Sequence, residues 1–211
     1  MISSSLYTAS LSRRRVSWKG PDLEPFPVFC YYQRMNNQIT IGLLADDELE
    51  QVGNLFSASW RRTYSGVVPG EYLDRLTPAA AKKMWEDFLN EPGHFILAAR
   101  ADSGENLKMV GMAAAQADYH IPGAGYIAGL HIDADFRGQK IGKRLIGAVA
   151  RCLAEQGVEK LALAVIEGND AALTVYKHLG AVVVDFRETN DGFVTNEYVL
   201  LWDDTELLQS F

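Results

Sequence analysis

From residue 39 onward the apolar positions recur with a regular period, and the period changes from segment to segment. Residues 38–43 read as a short strand. Asp46, Asp47 and Glu48 then open a helix whose apolar positions Leu49, Val52, Leu55, Phe56 and Trp60 return every three or four residues. A second helical stretch follows Pro69, and a third covers 78–89 with Ala81, Trp85, Phe88 and Leu89 as its buried stripe. Residues 95–100 and 108–116 form two strands of a hairpin, turned at Asp102, Ser103 and Gly104, whose short polar side chains and free backbone suit a tight turn.

The next strand covers 125–132, bounded by Pro122-Gly123 and by Asp133-Ala134-Asp135. Ile141, Leu145, Val149, Cys152 and Leu153 then lie on one helical face, Gly157 ends that helix, and 160–165 is another strand. Strand, turn, helix and strand make a crossover of the kind that joins neighbouring parallel strands. A shorter helix over 169–179 is stopped by Gly180, and closing strands follow at 181–187 and 197–202.

The chain has 211 residues, 48% apolar and 22% charged, which suits one soluble domain with a sizeable core. The first 34 residues depart from this pattern: five basic and two acidic residues give +3 there and leave −10 for 35–211 of a net −7. Arg13-Arg14-Arg15 is not followed by the apolar stretch an export signal needs. An organellar transit peptide remains open, and a flexible N-terminal extension over 1–34 before a domain at 35–211 is the expectation. No run approaches the roughly 18 apolar residues of a membrane span, and a pI near 5.1 argues against nucleic acid as a partner. Cys30 and Cys152 are far apart, and Cys152 reads as a buried thiol, so a reducing, cytoplasmic setting is expected. The four histidines and two cysteines form no metal-ligand spacing, and no structural zinc is expected.

Against that acidic background, "DFRGQKIGKRL" at 135–145 gathers Arg137, Lys140, Lys143 and Arg144 around Gly138 and Gly142. A turn that leaves a strand and enters a helix presents unpaired N–H groups on a positive helix end, which suits phosphate. A solvated basic helix start with glycines serving only the turn is the bland alternative, and spacing alone leaves the two level. Neither a Gly-x-x-x-x-Gly-Lys-Ser/Thr loop nor a Gly-x-Ser-x-Gly elbow is present.

These residues resemble the GNAT superfamily of acyl-CoA N-acyltransferases. Arg137-Gly138-Gln139-Lys140-Ile141-Gly142 is similar to its Arg/Gln-x-x-Gly-x-Gly/Ala signature, with Leu130-His131-Ile132-Asp133 as the preceding strand end. Downstream, 169–180 resembles its Asn-x-x-Ala-x-x-x-Tyr-x-x-x-Gly segment. The resemblance implies an α/β fold of the α+β kind: a mixed, mostly antiparallel central sheet flanked by helices, with a strand-turn-helix-strand unit for the cofactor.

By the same resemblance the cosubstrate is acetyl-CoA, with no metal. Arg137, Gly138, Gln139, Lys140, Ile141, Gly142 and Lys143 would hold its pyrophosphate through backbone amides. Leu130, His131 and Ile132 would lie beside the pantetheine where two parallel strands splay, and Asn169 would cap its helix and reach the same arm. Tyr176, two helical turns from Asn169, would protonate the departing thiolate. Lys140 departs from the family's glycine, so its backbone must adopt a φ that a side chain tolerates or the loop must shift.

The general base is open. The family's two carboxylate positions are Tyr126 and Ala164 here, which leaves Glu197, His131, His120, Glu167 or a water chain. For the acceptor, a small-molecule or peptide amine, Tyr64, Tyr126 and Glu197 are the candidate contacts. The aromatic loop at 60–73 beside Glu71 and Asp74 either receives an amine or is core packing with a solvated edge. With no cysteine in the cofactor motif, transfer is expected to be direct, in a ternary complex. A non-catalytic acyl-CoA-binding module is the alternative, and pairing of edge strands near Trp202 into a homodimer is a family expectation.

Overall fold

The computed structural model describes residues 33–35, 39–102 and 107–211. The N-terminal stretch before residue 33, Cys30 and the turn residues Ser103 and Gly104 therefore lie outside the described residues. The strands are β1 (Gln33–Met35), β2 (Ile39–Leu43), β3 (His94–Asp102), β4 (Leu107–Gln116), β5 (Ala124–Ile132), β6 (Lys160–Ile166), β7 (Val182–Asn190) and β8 (Val194–Trp202). They form one sheet in the order β1-β2-β3-β4-β5-β6-β8-β7, antiparallel at every step except β5 with β6. Strand β1 pairs Met35 with Ile39 and Gln33 with Ile41, so it crosses the boundary that composition suggested at residue 35.

The helices are α1 (Leu49–Tyr64), α2 (Gly70–Arg75), α3 (Pro78–Leu89), α4 (Ile141–Ala154), α5 (Asp170–His178) and α6 (Glu206–Gln209). Helix α6 and strand β1 had no sequence signal: one is four residues long and the other three, too short to show a period. The expected crossover is present as β5, α4 and β6, and the expected hairpin as β3 and β4, which pair from His94 with Gln116 to Asp102 with Leu107.

The sheet is covered on both faces. Ile141, Leu145, Val149 and Leu153 of α4 pack on one face, while Val52 and Phe56 of α1 with Ala81 and Trp85 of α3 pack on the other. Central strand β4 serves both: Ala113 and Ala115 join the first cluster, and Met112 and Ala114 the second. Its consecutive small side chains leave room for helices to approach from either side. Helices α1 and α3 touch so closely that a Cβ on Gly53 would stand 2.4 Å from the Pro78 carbonyl oxygen. Helix α3 itself starts as its sequence suggests, with Thr77 Oγ1 accepting the Ala80 N–H at 3.2 Å and Pro78 in the first turn.

Beneath the start of α1 lies a buried ion pair. Arg100 on β3 donates from Nε to Glu48 Oε1 at 2.6 Å and from Nη2 to Glu48 Oε2 at 2.5 Å, and Nη2 also reaches the Leu43 carbonyl at 2.7 Å. Glu48 Oε2 in turn accepts the Ala45 N–H at 2.8 Å. The pair ties the loop after β2 to the middle of the sheet and so fixes where α1 sets out.

Candidate active site

The site begins as a defect in the sheet. Opposite β4, Ala114 pairs with Gly129 and Ala115 with Ile127, so Ala128 is an extra residue, a β-bulge that bends β5. On its other edge β5 pairs with β6 only from Ala124 with Lys160 to Ile127 with Leu163. Past that point the two parallel strands part, and the edge of β5 that carries Leu130 and Ile132 has no ladder partner on β6. A cleft of about 1010 Å³ occupies the gap. Its walls come from β5 and β6, from α1 and α3 on one side, from the starts of α4 and α5 on the other, and from the tip joining β7 to β8.

The α4 end fits a phosphate group. The N-cap of α4, Lys140, makes no capping hydrogen bond through its side chain, so the first-turn N–H groups are left for another acceptor. Gly138 has φ +77° with open space where a Cβ would stand, and no protein atom lies closer than 3.9 Å to a Cβ built on Gly142. Neither glycine is required by packing at its Cβ, which leaves room for a ligand over the turn. Lys140 resolves the sequence's departure from glycine: it keeps the left-handed conformation, φ 61° and ψ 14°, and is the one non-glycine residue with positive φ among those described. Strain of about 1 kcal/mol at such a residue is retained where the surroundings over-determine it.

The other expected cofactor residues divide. Leu130, His131, Ile132, Arg137, Gly142, Lys143 and Asn169 line the cleft. Gly138, Gln139 and Lys140 belong to the turn before α4 but do not line the cleft, and the Ile141 side chain is 1% exposed in the core beneath α4, so only its backbone faces the turn. The Lys143 ammonium stands 4.1 Å from the centroid of the Phe211 ring.

At the middle of the cleft, Asn169 makes two bonds. Its Oδ1 accepts the Ala172 N–H at 3.3 Å and caps α5, and its Nδ2 donates to the Tyr64 hydroxyl at 3.2 Å. Tyr64 is thereby brought from α1 to the start of α5, across 105 residues of chain. Tyr176 follows on the same helix, half-buried, with its ring edge-on to Trp202 at 6.1 Å. Burial, and secondarily the neighbouring Tyr64, raise the Tyr176 phenol above its usual range, so it keeps its proton at neutral pH.

The base candidates separate by position. Glu197 and His131 line the cleft, whereas His120 and Glu167 do not. Arg187 holds the Glu197 carboxylate through Oε1, with Nε at 2.9 Å and Nη2 at 2.8 Å, and its Nη2 also donates to the Tyr119 hydroxyl at 3.0 Å. Tyr126, at the family's carboxylate position, stacks on Tyr119 at 4.3 Å, and burial raises its phenol above the usual range. His131 meets Phe56 edge-on at 4.7 Å, and its Nδ1 is hydrogen-bonded to Ser59 Oγ at 3.1 Å. Burial, with Arg137 adding to it, lowers its pKa to about 4, so the ring is neutral at pH 7 and a weak base.

That shift fixes a pH dependence. The unfolded chain takes up a proton on this imidazole near 6.5, and the folded chain does not until about 4, so stability is lost as pH falls between those values. Denaturant unfolding at pH 7 and pH 4.5 should show wild type losing roughly 2–3 kcal/mol more than His131→Asn. An equal loss in both proteins would show that His131 is not held neutral.

At the acceptor end the carboxylates beside the aromatic loop fall on its solvated edge. Glu71 and Asp74 do not line the cleft; both are exposed, and Asp74 faces Arg61 at 3.6 Å. The carboxylates come instead from Glu197 on β8 and from Asp191 in the β7–β8 tip, where Phe193 packs on Tyr72 at 4.6 Å. Asp191 and Phe193 carried no motif, and only the fold places their tip beside Tyr72 on α2.

The comparisons with known proteins agree with this geometry. The model of the Acetyltransferase (GNAT) family matches residues 50–181. Thialysine N-epsilon-acetyltransferase of Bos taurus is 38% identical over 56 residues, which cover 26% of this chain and 33% of that protein. The chain thus spans about a third of the length of the curated relatives it matches. Among solved structures, PaiA N-acetyltransferase from Thermoplasma acidophilum in complex with coenzyme A superposes with a TM-score of 0.61 at 22% identity, covering 76% of this chain and 97% of that one. The ribosomal-protein-S18-alanine N-acetyltransferase of Escherichia coli gives 0.54 at 20% identity, covering 77% and 92%. With a bulged β5 parting from β6 over an uncapped helix start, and with the family's model matched across most of the described chain, the protein belongs to the GNAT acetyltransferase family.

Proposed function

We propose that the chain transfers an acetyl group from acetyl-CoA directly to a primary amine, with both substrates bound in the cleft at once. The observation that carries this reading is the parting of β5 from β6 between the uncapped start of α4 and the hydroxyl of Tyr176. Gly138 to Lys143 would hold the pyrophosphate through backbone N–H groups, with Arg137 and Lys143 adding charge at the same end. Leu130 and Ile132 would bond the pantetheine arm with the strand edge that β6 leaves free.

The acceptor nitrogen must be neutral to attack the thioester carbonyl, so its ammonium loses one proton on the way in. As the carbon–sulfur bond breaks, the thiolate gains a proton from Tyr176, whose phenol burial keeps protonated. The second proton that the nitrogen sheds on becoming an amide restores the phenol through water in the cleft, so one proton in all is released to solvent. An acyl-enzyme on Cys152 is disfavoured, since that thiol is 1% exposed in the core under α4 and does not line the cleft. The non-catalytic alternative rested on missing carboxylates, and Glu197 and Asp191 line the cleft in their stead.

The test is a calorimetric titration of the full chain with acetyl-CoA and with desphospho-CoA. Saturable binding of the first, weakened about tenfold for the second, supports the cofactor site and a basic contact to the 3′-phosphate. Absence of heat with either ligand would sink the reading.

A further inference from the structure

The cleft's cations are confined to one end. Of the carboxylates that line the cleft, Asp170 stands at the start of α5. Arg137 and Lys143 belong to the α4 end, while Asp191 and Glu197 stand at the far end. Between them runs a continuous aromatic wall: Trp60 lies 4.6 Å from Tyr64 and 5.7 Å from Tyr72, and Tyr72 lies 4.6 Å from Phe193, ring centroid to ring centroid. The tip that carries Asp191 is laid flat against this wall. Gly192 has φ +90°, and a Cβ there would stand 3.1 Å from Tyr72 Cε2.

The two carboxylates differ in what neutralises them. Glu197 is held by Arg187. Asp191, exposed at the tip, has no ion pair among the described residues, and its Oδ2 accepts a hydrogen bond from the Thr189 hydroxyl at 3.5 Å. It lines the cleft from the same tip whose Phe193 and Gly192 lie against Tyr72, so the carboxylate stands beside the aromatic wall. A free carboxylate beside aromatic faces attracts a cation and repels an anion, by Coulomb attraction and by the ring quadrupoles.

We infer that the acceptor is an amine bearing a second positive charge, which Asp191 and the Trp60–Tyr72–Phe193 wall hold while the first nitrogen reaches the thioester. The inference rests on the acetyl-transfer reading and names its substrate class. Asp191 acts as a specificity determinant, and by the same charge it disfavours acceptors whose far end is a carboxylate or phosphate.

Three acceptors that differ only at the far end test this: 1,4-diaminobutane, n-butylamine and 4-aminobutanoate, each given to the full chain with acetyl-CoA while released thiol is followed. The diamine should exceed butylamine in kcat/KM by about tenfold or more, with the aminobutanoate lowest, and Asp191→Asn should collapse the diamine-to-butylamine ratio, chiefly through KM. Equal kcat/KM for diamine and butylamine, or a ratio that survives Asp191→Asn, overturns the inference. Calorimetric titration of the diamine into the chain, with and without saturating coenzyme A, supplies a readout independent of turnover. Saturable binding that Asp191→Asn removes supports the site even if no acceptor turns over, and no diamine binding under either condition overturns it. Failure of acetyl-CoA itself to bind would instead strike the acetyl-transfer reading.

Discussion

Tyr176→Phe should lower kcat by about 10²- to 10⁴-fold, the range lost with a positioned general acid, and leave acetyl-CoA affinity and thermal stability nearly unchanged. The separation follows from what the hydroxyl does in the structure. The Tyr176 ring packs on Trp202 and the sheet core, which phenylalanine preserves, while the hydroxyl makes no hydrogen bond with a described residue. Removing it therefore strands no partner, and stability should move by less than about 0.5 kcal/mol. Tyr64→Phe is the contrast, because it leaves the Asn169 amide without its acceptor at 3.2 Å. Steady-state kinetics with the best acceptor, paired with a melting curve, reads both quantities. A variant that turns over like wild type would remove Tyr176 from the acid role, and one that fails to bind acetyl-CoA would make it a positioning residue.

Arg100→Met should destabilise the fold by about 3–5 kcal/mol, the cost of removing one member of a buried ion pair. Both side chains are nearly sealed, with 5% of Arg100 and 4% of Glu48 exposed, so water does not replace the lost partner. A domain of this size would melt roughly 10–15 °C lower. The double variant Glu48→Met with Arg100→Met should regain most of that loss, since two apolar side chains carry no desolvated charge. A double variant no more stable than Arg100→Met would mean that the lost carbonyl contacts at Leu43 and Ala98, not the ion pair, set the cost. Because Glu48 fixes the start of α1, Arg100→Met should also loosen the wall that carries Trp60 and Tyr64.

Much of the fold was legible in the chain. The period of Leu49 to Trp60 and of Ile141 to Leu153 gave helices α1 and α4, and Gly157 and Gly180, at φ +76° and +93°, close α4 and α5 where they stand in the sequence. The basic turn before α4 and the Asn169–Tyr176 spacing were legible because each is local: a strand, a few residues and one helix contain them. Asp191 and Phe193 were not, since nothing within ten residues of them predicts contact with Tyr72 on α2. Glu71 and Asp74 were left open by the sequence for the reverse reason: they neighbour the aromatic loop along the chain, and only the helical turn of α2 shows that they face solvent.

By itself the sequence determined the longer elements, their order and the glycine-bearing turn before α4, because hydrophobic period, caps and glycine positions act within a few residues of where they are written. Only the tertiary structure decided that the Ala128 bulge parts β5 from β6 and that α1 lends Tyr64 to Asn169. It also decided that Asp191 closes the far end of the cleft. Those outcomes depend on strand register and on side chains that meet across many tens of residues, and such meetings are settled by how the whole sheet is covered on its two faces.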